Sequence, residues 1–176
     1  MSLPRLTGPR VALVPVPRTV ARAVVAGDPL DPALAPLGLR AAPGYPHEDS
    51  PDALRPLAEH GEEGDDGGWL VAVDGAVVGD CGWQGGPDGD GEVRIGYGLA
   101  APSRRLGLGT EAVAVLCAWA DTQPGVRRLV ADVQVGNEGS RRLLRRLGFT
   151  ESPAEPGWLR CVRGEGQPPI TGRHVC

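Results

Sequence analysis

The sequence predicts an α+β protein, a mixed sheet with helices on its faces. Three observations carry this. Trp69 to Val73 and Ala76 to Trp83 are apolar runs on either side of Asp74-Gly75, the signature of a hairpin. Glu92 to Leu99 reads as a strand that leads through a glycine-spaced turn into an almost wholly apolar helical segment, Ala112 to Ala120. Asn137 to Leu147 has the spacing of an amphipathic helix, with Gly148 placed to end it.

The remaining elements follow in order. Val11 to Val16 reads as a first strand, fenced by Pro9 and Pro15. Thr19 is placed to cap a short helix through Ala26. Gly27 to Asp49 is rich in Pro and Gly and reads as loop with short helical turns. Ser50-Pro51 starts a helix to about His60, the serine as cap and the proline at the first position. Gly61 to Gly68 is acidic and glycine-rich, a loop. After the central helix, Gln123-Pro124-Gly125 breaks the chain and Arg128 to Val135 forms a further strand. Phe149 to Arg163 holds one or two last strands, and residues 165–176 read as a loose tail.

The 176 residues suit a single domain, 1–176, with enough chain to bury a core. No apolar run approaches the roughly 18 residues of a membrane span. Met1 to Val16 lacks a basic-then-apolar leader, so the expected location is cytoplasmic. The four cysteines show no C-x-x-C spacing and read as reduced structural thiols, with no metal expected. The formal charge of −4 speaks against a general nucleic-acid binder. Glu48 to Glu92 carries thirteen acidic residues against Arg55 alone, while arginines concentrate from Arg94 onward. An acidic half beside an arginine-rich half suits a cationic substrate meeting an anionic cofactor, or is a solvated acidic loop.

The run Arg104-Arg105-Leu106-Gly107-Leu108-Gly109-Thr110 is the centre of the functional reading. A glycine-spaced turn opening a helix presents free backbone N–H groups at the positive end of the helix dipole, a site for phosphate. It lacks the lysine of a P-loop and the third glycine of a dinucleotide fingerprint.

This run resembles the R-x-x-G-x-G/A motif of the GCN5-related N-acetyltransferases (GNAT). Arg94-Ile95-Gly96-Tyr97-Gly98-Leu99 looks like that superfamily's strand before the loop. Thr110-Glu111-Ala112, Asn137-Glu138-Gly139-Ser140 and Leu143 to Phe149 resemble its RimJ/RimL-like branch, as does the start, Leu6 to Val11. The resemblance covers residues 5–163. It implies a mixed, mostly antiparallel sheet of six to seven strands flanked by helices on both faces. It also implies an acetyl-CoA-dependent N-acetyltransferase acting on a primary amine by direct transfer, the acceptor being a protein N-terminus or a small cationic amine. The monomer or homodimer state stays open. A non-catalytic acyl-CoA-binding module on the same fold is the alternative.

By the same resemblance, Leu106, Gly107, Leu108, Gly109 and Thr110 hold the pyrophosphate, with Arg104 or Arg105 adding a charge-assisted contact. Tyr97, Gly98 and Leu99 lie along the pantetheine arm, and Tyr97 can equally be core. Many relatives carry Glu at the position of Arg94, so Glu92 is nominated as base or water-orienter, or as the partner of Arg94 in a plain ion pair. Arg94 is a candidate for an acidic group on the acceptor or the cofactor. Asn137 and Ser140 fall at the cofactor by the same resemblance; Asn137 also fits an N-cap, and Ser140 is placed either to donate to the leaving thiolate or to serve the cap. Tyr45, His47, Trp83 and Gln84 are candidates for the acceptor pocket. Glu111 serves the helix dipole or a further role.

Overall fold

The structure is a computed structural model that describes residues 3–60 and 67–164. The acidic segment 61–66 and the tail 165–176 lie outside the described residues, whereas Gly67 and Gly68 belong to a strand. The strands are β1 (Leu6–Thr7), β2 (Ala12–Pro15), β3 (Arg40–Ala41), β4 (Gly67–Val73), β5 (Ala76–Gln84), β6 (Glu92–Leu99), β7 (Arg128–Gln134), β8 (Thr150–Pro153) and β9 (Trp158–Gly164). The helices are α1 (Arg18–Ala26), α2 (Asp31–Leu34), α3 (Ser50–His60), α4 (Leu108–Ala120) and α5 (Glu138–Arg146).

One sheet takes all nine strands in the order β1-β2-β4-β5-β6-β7-β9-β8, with β3 beside the start of β5. That is more than the six to seven expected, because β1 and β3 are two-residue strands too short to show a period. The β3–β5 and β6–β7 pairs are parallel and the rest antiparallel. The hairpin turns at Asp74 and Gly75, both with positive φ, as a two-residue turn matched to strand twist requires.

Alternation along the strands sends side chains to two cores. Leu13, Trp69, Val71, Val93, Ile95 and Leu129 meet the apolar faces of α4 and α5. Val14, Leu70, Ala72 and Val77 meet α1 and α3 on the other face. The Trp119 ring packs edge-on against Trp69 and Trp83, with centroids 4.8 and 4.7 Å away.

Two helix starts differ from expectation. Helix α1 begins at Arg18 with Pro17 at the N-cap, and Thr19 lies inside it without capping. At α3 the Ser50 hydroxyl does not serve the helix end. It donates to the Asp80 carboxylate at 2.6 Å, a tertiary partner that no local pattern announces. At α5 the expected cap is present: the Asn137 side chain accepts from the Ser140 N–H at 3.1 Å, and Gly148 follows with φ +85°.

Candidate functional site

The site begins where two strands part. β6 and β7 pair through Glu92–Arg128, Val93–Leu129 and Arg94–Val130, and then β6 stays with β5 while β7 stays with β9. The Ala100 N–H donates to the Val78 carbonyl, so even-numbered residues here turn their backbone polar groups toward β5. The odd-numbered ones, Tyr97 and Leu99, therefore turn theirs toward the gap, where no strand of the described residues receives them. Arg104 closes the end of this edge, its Nε donating to the Leu99 carbonyl at 2.8 Å.

The loop from Arg104 to Gly107 follows directly. Arg105 and Gly107 both have positive φ, +65° and +79°, which curls the chain into the first turn of α4. Only glycine holds such a φ without strain at Gly107. Among the described residues, the N–H groups of Leu106 to Thr110 have no acceptor. Leu106 is 58% exposed, and Arg105 has no ion-pair partner among the described residues.

Sequence reasoning missed what steadies this loop. Glu111, 7% exposed, accepts from the N–H groups of Arg10 and Val11 and from Arg10 Nε at 2.9 Å. Arg10 Nη1 also donates to the Leu106 carbonyl at 3.0 Å. The β1–β2 turn is thereby fastened to the loop and to the start of α4. Nothing local in the sequence marks a contact across a hundred residues.

On the α3 face of the sheet a cavity of about 200 Å³ opens over β5 and β6. Gly67, Gly68, Gly82 and Gly96 form its floor, and Ala53, Leu54, Pro56 and Leu57 of α3 its roof. His47 and Asp80 stand at its wall, and both are buried. His47 Nε2 bonds to Asp80 Oδ1 at 3.1 Å. A Cβ at Gly98 would meet the His47 ring at 2.3 Å, so the imidazole lies directly on β6 beside the open edge. Asp80 was not singled out, although an aspartate inside the apolar run Ala76 to Trp83 is itself a signal of a buried, engaged carboxylate.

Of the acceptor candidates, His47 and Gln84 line this cavity. Tyr45 is buried beside it among the α1–α3 core residues. Burial, then the charge of Asp80, pushes its hydroxyl far above an ordinary phenol. Trp83 borders the cavity, but its ring belongs to the opposite core against Trp119.

Two expectations need correction. Glu92 and Arg94 do not pair with each other. Glu92 lies at the joined end of β6–β7, engaged by the Arg160 guanidinium and 3.9 Å from that of Arg128. With its oxygens engaged there, it does not line the cavity. Arg94 pairs with Asp132 across the point where the strands part, which engages one side of its guanidinium.

Across the gap the Tyr97 hydroxyl is buried, within reach of the Ser140 side chain and without a close hydrogen-bond partner among the described residues. Burial raises its pKa and Ser140 opposes the rise. Tyr97 and Ser140 are thus brought together from β6 and α5, where Asn137 holds the helix end.

Comparison with known proteins accords with this geometry. Residues 28–150 match the family model described as an acetyltransferase (GNAT) domain. The chain belongs to the GNAT acetyltransferase family. It is 32% identical over 123 residues to an uncharacterized N-acetyltransferase, YjdG, of Bacillus subtilis (strain 168), covering 66% of this chain and 73% of that one. Its fold is similar to RimL, a ribosomal L7/L12 alpha-N-protein acetyltransferase solved with coenzyme A. That match has a TM-score of 0.67 at 16% identity, over 92% of this chain and 98% of that one. It is also similar to Mycobacterium smegmatis RimJ in complex with CoA-disulfide, with a TM-score of 0.64 at 21% identity, over 96% and 90% of the two chains.

The residues of this GNAT site fit coenzyme A. The unpartnered N–H groups of Leu106 to Thr110 suit a pyrophosphate, and the unpaired edge of Tyr97 and Leu99 suits an extended amide arm. Among the described residues no cluster is built to hold a metal ion, and no helix is long and apolar enough to cross a membrane.

Proposed function

We propose that this GNAT acetyltransferase, a RimJ/RimL-like cytoplasmic enzyme, moves an acetyl group from acetyl-CoA directly to a primary amine held in the cavity beneath α3. The observation that carries this reading is the convergence of three features on the end of β6. The phosphate-type loop follows it, its edge is unpaired toward the gap, and its opposite face is the cavity floor at Gly96.

Acetyl-CoA supplies the acetyl group in activated form, as a thioester. The chain supplies the rest. The N–H groups of Leu106 to Thr110 hold the pyrophosphate, with Arg105 as the adjacent cation and Arg104 stiffening the strand end. Tyr97 and Leu99 turn N–H donors to the gap, and a donor fixed there favours negative charge developing on a carbonyl oxygen. Ser140 lies across the gap and donates to the departing sulfur, which needs only a hydrogen bond to leave as a thiolate. A cavity of about 200 Å³ accepts a small amine or the first residue of a peptide.

Release of free thiol from acetyl-CoA across a panel of small amines and N-terminal peptides tests this. The wild type turns over at least one class, and Ser140→Ala slows it. Gly107→Pro cannot hold the positive φ and removes coenzyme binding in calorimetry. Intact binding in that variant overturns the loop's assignment. Tight binding with no turnover on any amine overturns the enzyme reading of this site.

A further inference from the structure

We infer that His47, oriented by Asp80, accepts the proton that the acceptor ammonium must lose. The inference rests on the reading that amine acetylation takes place at the end of β6.

An ammonium has no lone pair, so a proton must leave before nitrogen can attack. Glu92 is engaged by Arg160 and Arg128 and does not line the cavity. The imidazole of His47 does, and it lies on Gly98, whose neighbours Tyr97 and Leu99 present the open edge.

The tautomer follows from the partners. The Asp49 N–H can only donate, and it reaches His47 Nδ1 at 3.3 Å, so Nδ1 carries the lone pair. Nε2 therefore carries the hydrogen and donates to Asp80 Oδ1 at 3.1 Å. Asp80 Oδ2 in turn accepts from the Ser50 hydroxyl at 2.6 Å. A buried carboxylate fixed on one ring nitrogen orients the ring and stabilises the cation formed when the other nitrogen is protonated. The long Asp49 contact is the one that gives way, and Asp49 and His47 both line the cavity.

Besides Asp80, the titratable groups that line the cavity with the ring are Asp49, Cys81 and Tyr97; Tyr45 from its own loop acts on Asp80, and the neighbouring Glu48 carboxylate lies 3.8 Å from Arg104. Among the described residues no arginine pairs with Asp80.

The step balances. One ammonium N–H bond breaks, its proton joins Nδ1, and its electron pair stays on nitrogen. That pair forms the new C–N bond while the thioester C–S bond breaks with its pair on sulfur. Nitrogen then loses a second proton. Of the two protons, one ends on sulfur and one in solvent.

His47→Gln and Glu92→Gln are compared with wild type on acceptor amines of graded basicity at pH 7. For strongly basic amines, His47→Gln loses about 100-fold in kcat/KM. Its coenzyme affinity by calorimetry is unchanged. The deficit shrinks below threefold for weakly basic amines that arrive already neutral, a signature that a packing role does not produce. Glu92→Gln stays within threefold throughout. A deficit in His47→Gln that is equal for all amines, or absent, overturns the inference.

Should that variant fail to fold, the wild-type protein decides. The three histidines permit assignment of the His47 ring resonances with His60→Gln and His174→Gln. Saturating amine shifts the His47 signals if the acceptor sits against the ring, and unshifted signals overturn the proposal. Absence of thiol release by wild type with every amine overturns the acetyltransferase reading instead, and the resonance shift still reports the site.

Discussion

Glu111 joins the first turn of α4 to Arg10 by two bonds, one from the Arg10 backbone and one from its guanidinium Nε. The same arginine reaches the Leu106 carbonyl. A single carboxylate thereby ties the start of the sheet to the loop proposed to hold the coenzyme. Glu111→Ala strands the Arg10 and Val11 N–H groups, a loss of about 2 kcal/mol. Thermal denaturation then shows a Tm lower by about 4–8 °C. Coenzyme affinity falls as well, because Leu106 and Gly107 lose their anchor, and calorimetry checks it.

Gly98→Ala places a methyl group 2.3 Å from the His47 ring. The ring is held between β6 and Asp80, so it can yield only by leaving its place. Overpacking of this kind costs about 1–3 kcal/mol. Urea denaturation shows the loss, and turnover drops further than stability does, because His47 no longer lies over the open edge.

Cys81 and Cys117 are inert in the folded protein. Burial, with the Asp80 charge behind it, raises the Cys81 thiol, and burial pushes Cys117 up to about 12. A raised pKa keeps the thiol protonated, so at pH 8 about one Cys117 in ten thousand is thiolate. Iodoacetamide followed by peptide mapping leaves both unmodified in buffer and modifies both in guanidinium chloride. Fast labelling of Cys117 in buffer contradicts the packing described.

Acid sensitivity has a definite sign at Glu151. Hydrogen bonds from Arg141, then Arg145, hold its carboxyl below the ordinary carboxylate range. A depressed pKa contributes stability that is present above the unfolded value, near 4.3, and is lost as pH falls through the folded value. Wild-type Tm therefore declines as pH is lowered below about 4.3, and Glu151→Gln shows a shallower decline over the same window. Parallel curves refute this role for the carboxylate.

The sequence by itself determined the order of the longer elements and the glycine turn proposed to hold the coenzyme. Asp74-Gly75, the alternation in Glu92–Leu99, the glycine turn and the Asn137 cap are local, since each depends on residues within one turn or one strand pair. The tertiary structure decided the rest. Ser50 serves Asp80 rather than its own helix, Trp83 belongs to the core, and Glu111 fastens a distant turn. Glu92 is held by Arg160 from β9, and Arg94 by Asp132 from β7. Backbone periodicity assigns a side chain to a face but leaves open which charge stands opposite it. That is set by the strand order and register of a sheet whose neighbours lie far apart in the chain, and so Asp80 and His47, 33 residues apart, meet only once it is folded.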